Sequence, residues 1–204
     1  MGDNSKLFEK YTLNNKVEVP GLLAVAPLTL FGSNQDGSVS EEEREYLKLR
    51  ATNIGLYILG ATAVSQEGIK FFTQPRALSD KDIPANEERV KIIKAQGALA
   101  INQIHHGGCY ADKKISGVPV MAVSAEVANK ELEAQGKLND ENKTIELTDQ
   151  DIKRINLLMI SHELLKFLLR LDMMELKFME LIISSYNNFI QDIIIKELMI
   201  GVAH

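Results

Sequence analysis

The stretch Gly97-Ala98-Leu99-Ala100-Ile101-Asn102-Gln103-Ile104-His105-His106-Gly107-Gly108-Cys109 decides the fold. Residues 98–104 are mostly apolar and long enough for a buried strand, and a polar, glycine-rich turn ends them. Gln103 falls at the end of the run, where an amide can face a ligand. Two earlier segments have the same grammar. Residues 22–26 end in Pro27-Leu28-Thr29, and residues 56–59 end in Gly60-Ala61-Thr62. Three apolar runs, each closing on small or polar residues, predict three parallel strands pointing at one site. In a βα-barrel the chemistry sits at such C-terminal strand ends.

Helices are expected between these runs. Ser40 is a good N-cap with Glu43 three residues on, the spacing of a capping box. The helix should run to about residue 53, with Leu47, Ala51 and Ile54 on one face and Gly55 as its stop. Glu41, Glu42 and Glu43 suit its positive N-terminal end. Pro84 or a neighbour starts a second helix, with Val90 and Ile93 inward and Gly97 closing it. Residues 13–19 read as a short strand or hairpin leading in, and residues 66–84 as a long polar loop. Residues 116–143 read as an excursion, after which Thr148 caps a further helix through Asp151.

The totals narrow the function. The chain has 204 residues, against about 250 for a whole barrel of this kind. Its net charge of −5 argues against a nucleic-acid or anionic-membrane partner. The single cysteine, Cys109, leaves no intrachain disulfide, and residues 1–10 have no signal-peptide core, so a cytoplasmic protein is expected. Oligomeric state is not legible. His105, His106 and Cys109 are metal-ligating types, but their spacing fits no zinc pattern and no metal is expected. No base can be set beside Cys109 to make it a nucleophile. Gln103 alone reads as a buried amide, or as a partner for an imide edge. Ala26-Pro27-Leu28-Thr29 alone is a strand-ending turn, or a place where backbone and a hydroxyl meet a flat heterocycle.

Taken together, these pieces resemble the old yellow enzyme family of FMN-dependent NADH:flavin oxidoreductases and ene reductases. The matching segments are Leu7-Phe8, Ala26-Pro27-Leu28-Thr29, Gly60-Ala61-Thr62-Ala63-Val64 and Gln103-Ile104-His105-His106-Gly107-Gly108, in the family's order and separations. The resemblance covers roughly residues 6–154. It implies a βα-barrel with FMN at the strand ends. Ala26, Pro27, Leu28 and Thr29 would contact the flavin, mostly through backbone, with the Thr29 hydroxyl on the ring edge. Ala61 would pack near the ring, Gln103 would bind the pyrimidine edge, and Phe31 would meet substrate. Cys109 stands where the family usually has Arg. NADH or NADPH would be the reductant and an activated alkene, or a related small molecule, the acceptor.

The resemblance stops after Arg154. From Ile155 onward there is one glycine, Gly201, no proline, and five of the seven methionines. Charged residues such as Glu163, Lys166 and Arg170 rule this segment out as a membrane span. The third codon base of each residue can be joined to the first two bases of the next. From Leu171, permitted codons then give GYDGVEIHGAN, which resembles the family's fourth strand. Met173-Met174 must give Asp, and Met174-Glu175 and Met179-Glu180 must each give Gly. All three fall where the family needs them. A frame shift between residues 152 and 162 is therefore expected.

The fold expected is α/β: a partial TIM barrel of three βα units over residues 1–154. Residues 155–204 are expected as a helical or disordered out-of-frame tail. The function expected is FMN-dependent hydride transfer from NADH or NADPH, or else an inactive fragment of such an enzyme.

Overall fold

The computed structural model describes residues 4–13, 17–136, 138–139 and 143–160. The chain enters through a small antiparallel pair, β1 (Tyr11–Thr12) and β2 (Glu18–Val19), the expected hairpin. The central sheet follows. β3 (Ala24–Val25), β4 (Leu56–Ala63) and β5 (Leu99–His105) lie in that order and are parallel throughout. All three expected strands are present with the expected direction.

α1 (Glu41–Ala51) and α2 (Ile83–Ala95) link these strands. Both cover one face of the sheet. Leu47 and Ala51 of α1 and Val90 and Ile93 of α2 form one buried cluster with Tyr57, Leu59, Ala98 and Ala100. Leu47, Ala51 and Ile93 are wholly inaccessible. Filling this layer stabilises the unit by about 1.5–3 kcal/mol per large side chain buried. Pro84 sits in the first turn of α2, where its missing N–H costs nothing, and Gly97, at φ 88°, supplies the left-handed turn into β5.

Three expectations need correction. The stop after α1 is Asn53, at φ 59°, and not Gly55. Gly55 is where the chain crosses Gly21, and a Cβ there would lie 1.9 Å from the Gly21 carbonyl oxygen. The capping box at Ser40 is only half made. Ser40 Oγ accepts from Glu43 N at 3.0 Å, but the Glu43 carboxylate turns inward to Arg89. Finally, β4 does not end at Leu59 but continues through Gly60-Ala61-Thr62 to Ala63.

Beyond β5 the chain forms a short turn of helix, α3 (Lys113–Ser116), then β6 (Met121–Ala122), α4 (Ala125–Ala134) and β7 (Ile145–Glu146). β6 and β7 pair in parallel as a separate two-stranded sheet. α5 (Asp149–Ile160) follows with the expected cap. Asp151 N donates to Thr148 Oγ1 at 3.2 Å, and Thr148 N donates to Asp151 Oδ2 at 3.0 Å. The expected tail coincides with α5 up to Ile160, and its remainder lies outside the described residues. Among the described residues no helix is long and apolar enough to cross a membrane.

The Glu43–Arg89 pair joins α1 to α2 in the interior, at 2.7 Å from Arg89 Nε to Glu43 Oε1. Arg89 Nη2 also donates to Ser33 Oγ at 3.1 Å and to the Gly37 carbonyl at 2.8 Å, pinning the loop between β3 and α1. Both side chains are almost fully buried, so removing one charge strands the other without water. Glu43→Gln should cost about 3–5 kcal/mol of unfolding free energy in a urea titration. The double variant Glu43→Leu/Arg89→Met should recover part of that loss. An unchanged midpoint for Glu43→Gln would refute the role given to the pair.

Candidate functional site

The C-terminal end of β4 is irregular, and the irregularity builds the site. Leu59 pairs with Asn102 and Thr62 with Ile104, so Gly60 and Ala61 together oppose Gln103 alone. This is a bulge, one extra residue on one strand, of the kind that re-aims side chains near functional sites. It sets Ala61 across from Gln103. Gly60 is needed there, because a Cβ would fall 2.3 Å from the Leu28 carbonyl oxygen. The backbone leaving β3 thus passes directly over the bulge.

The bulge frees the Ala61 carbonyl from the ladder, and Gln74 takes it up at 3.3 Å through Nε2. Gln74 is fully buried although its loop is mostly polar. Its Oε1 accepts from Lys70 N at 2.8 Å, and its Nε2 lies 3.2 Å from His105 Nδ1. On the other face of β5, Thr62 Oγ1 donates to Asn102 Oδ1 at 2.7 Å. His106 turns back on its own chain, with Nδ1 accepting from Gly108 N at 3.0 Å. Gly68 admits that ring, since a Cβ would lie 2.7 Å from His106 Cδ2. Glu67 is bridged to Arg154 at 2.6 Å, which ties the end of β4 to α5.

Of the expected site residues, Ala61 and Gln103 are buried and opposite each other, while Ala26, Pro27, Leu28 and Thr29 are exposed, with Leu28 and Thr29 against Gly60 of the bulge. Leu28, Thr29 and Ala61 share a cavity with Thr62, Glu43 and Arg89, whereas Ala26, Pro27, Phe31 and Gln103 lie outside its lining. Phe31 is largely exposed and packs edge-on to Phe71 at 4.8 Å. Reasoning from sequence does not find Gln74, Thr62, Asn102 or the Glu43–Arg89 pair. Polar residues inside an otherwise apolar strand, such as Asn102, are the available signal.

Residues 6–156 match the family described as "NADH:flavin oxidoreductase / NADH oxidase family". The chain belongs to that family. Among curated relatives, "Probable NADH-dependent flavin oxidoreductase YqiG" of Bacillus subtilis is 40% identical over 102 residues, covering 50% of this chain and 27% of the relative. "NADH:fumarate oxidoreductase" of Klebsiella pneumoniae is 35% identical over 120 residues, covering 57% of this chain and 13% of the relative. The chain therefore spans about a quarter or less of these relatives' length. The old yellow enzyme of Pichia sp. superposes with a TM-score of 0.68 at 23% identity, over 82% of this chain and 44% of that one. Its fold is a TIM barrel, and the fold of this chain is part of one.

The electrostatics of the strand end give a pH dependence. Burial pushes the His105 imidazole down from an ordinary 6.5 to about 4, with Lys70 and then His106 adding repulsion. Burial also holds His106 below its ordinary range, although Glu67 opposes the shift. Both rings are neutral in the folded protein at pH 7. In the unfolded chain they bind protons below about pH 6.5, so the unfolded state holds more protons in that window. Stability should be intact above about pH 6.5 and fall as pH drops from there toward about 4, by on the order of 3 kcal/mol for His105 alone. Urea midpoints across that range measure it. His105→Asn keeps an acceptor for Gln74 and should flatten the slope, leaving the His106 share. A slope unchanged by His105→Asn would contradict the assignment.

The bulge makes its own prediction. Gly60→Ala drives a Cβ into backbone and not into a yielding side chain, so the chain leaving β3 must shift. The cost should be about 1–3 kcal/mol, read from the thermal midpoint, with amide shifts concentrated at residues 26–30. Wild-type stability in this variant would mean that the close crossing is absent in solution.

Proposed function

We propose that these strand ends are one side of an FMN site in an NAD(P)H-dependent oxidoreductase. The observation that carries this is the bulge that sets small Ala61 opposite Gln103, with the exposed residues Leu28 and Thr29 against it. That set suits a flat heterocycle with an imide edge: a small side chain for close approach, an amide offering donor and acceptor, and the Thr29 hydroxyl. Ala26, Pro27, Leu28, Thr29, Ala61 and Gln103 would hold the ring, and Phe31 would contact the acceptor. FMN, when bound, supplies the transfer of hydride from NADH or NADPH to an activated alkene or related small molecule. The protein's share is to fix position and electrostatics. A cytoplasmic setting, with no nucleic-acid or membrane partner, agrees with the composition.

A second reading has its own support. The central sheet holds three strands among the described residues, and the family match ends at residue 156, within the window expected for a change of reading frame. On this reading residues 1–154 are the N-terminal part of the barrel and residues 155–204 an out-of-frame translation. The polypeptide is then a fragment that no longer turns over. Catalysis depends heavily on orienting the reacting groups, a contribution that reaches about 7–11 kcal/mol. Three of a barrel's eight strand ends cannot supply all of it.

One experiment separates the two. The purified chain is mixed with FMN and NADPH without oxygen, and an enone is followed. The fragment reading expects weak or undetectable flavin binding and turnover near that of free flavin. A tightly yellow protein with turnover far above free flavin would overturn it and leave the enzyme reading standing. The nucleotide sequence tests the frame shift: codons unable to encode GYDGVEIHGAN in the second frame would exclude it.

A further inference from the structure

We propose that Gln74 is a positioning residue that locks His105 in the tautomer with its proton on Nε2, so that the end of β5 presents a fixed N–H donor to a ligand oxygen. The ligand half of this rests on the flavin-site reading above, while the tautomer half does not.

Hydrogen-bond accounting fixes the tautomer. Lys70 N is a donor and lies 2.8 Å from one terminal atom of the Gln74 amide, so that atom must be the oxygen. The other terminal atom is then the NH₂ group. It faces the Ala61 carbonyl at 3.3 Å, as a donor should. The same nitrogen lies 3.2 Å from His105 Nδ1. An amide nitrogen accepts nothing, and its two hydrogens meet two acceptors here. His105 Nδ1 must therefore be unprotonated. A neutral ring then carries its proton on Nε2, and burial with Lys70 and His106 nearby keeps the ring neutral at pH 7.

Two features tie this donor to the site. His105 and Gln103 are two residues apart on one strand and so share a face. Gln74 meets His105 with the same nitrogen that donates to the carbonyl of Ala61, a residue of the bulge opposite Gln103. The clamp on His105 and the Ala61–Gln103 juxtaposition thus have a common cause. With Nδ1 engaged by Gln74, the ring there donates from Nε2 to a carbonyl or carboxylate oxygen and rejects a group that is itself a donor.

The test needs no flavin, so its failure would leave the flavin reading untouched, and a chain that binds no flavin would leave this one intact. Long-range ¹H–¹⁵N correlation on the labelled full chain at pH 7, with His105→Asn used to assign the signals, reports each ring nitrogen. The expected result is a protonated Nε2 and a bare Nδ1. A scalar coupling across the hydrogen bond from Gln74 Nε2 to His105 Nδ1 is also expected. A protonated Nδ1, or no such coupling, would overturn the proposal. Gln74→Glu replaces the donor with an acceptor and should draw a proton onto Nδ1. A folded Gln74→Glu chain still showing bare Nδ1 would equally defeat it. The wild-type measurement stands even where that variant does not fold.

Discussion

One extra residue in β4 governs the geometry of the candidate site. Without the bulge at Gly60 and Ala61, the β4–β5 ladder would run on evenly and Gln103 would face a paired strand. With it, Gln103 faces Ala61, the Ala61 carbonyl leaves the ladder, and a buried glutamine must come in to satisfy it. A buried carbonyl left unpaired costs about 1–3 kcal/mol, a penalty that the Gln74 amide removes. The amide of Gln74 then fixes the imidazole of His105. Gly60 completes the arrangement by letting the backbone of Leu28 cross at a distance no side chain permits.

The helix layer supports this end from the other side. Glu43 and Arg89 close the space beneath residues 28–30, and the guanidinium reaches Ser33 and Gly37 in the loop that leads back to α1. A second ion pair, Arg44 to Glu88 at 2.5 Å, links the same two helices nearer the surface, where screening makes it worth far less. Net stability is not the distinguishing contribution of a buried ion pair, because well-packed apolar residues in its place are often no less stable. What its geometry does is fix one register between two helices and one loop, and that loop follows directly from the exposed residues 26–29.

The elements legible in the sequence are those with a local cause. Apolar runs mark β3, β4 and β5, Ser40 and Thr148 mark helix starts, and Gly97 marks a helix end. The bulge is not legible, because Gly60-Ala61-Thr62 has the composition of a turn, and only the crossing of Leu28 shows why glycine is required. Glu43 misleads for a related reason. Its spacing from Ser40 fits a capping box, but a buried guanidinium outcompetes a backbone N–H for the carboxylate, and Arg89 is 46 residues away in sequence. α4 is concealed within the excursion, although Ser124 caps Val127 N at 3.4 Å and Glu126 pairs with Lys130 at 2.6 Å. Pro119 and the surrounding polar residues hide a helix whose cap and ion pair are present in the sequence. Gln74 has no pattern to announce it, since its partners come from Ala61, Lys70 and His105.

These local causes bear on what part of a barrel can retain. Closure gives a barrel its enclosed centre and removes its free edges. β3 shows what an open edge looks like: among the described residues it pairs only with β4, and Leu22 and Leu28 beside it are 53% and 57% exposed. The features at the ends of β4 and β5 have a different origin. Bulge, Gln74 clamp and buried ion pair are all satisfied within residues 28–105, by contacts that do not pass through a closing strand. Position and enclosure are therefore separable in this fold. The donors and acceptors at these strand ends are held by contacts among themselves, whereas surrounding a flat cofactor and excluding water from it need walls on the remaining sides of a barrel.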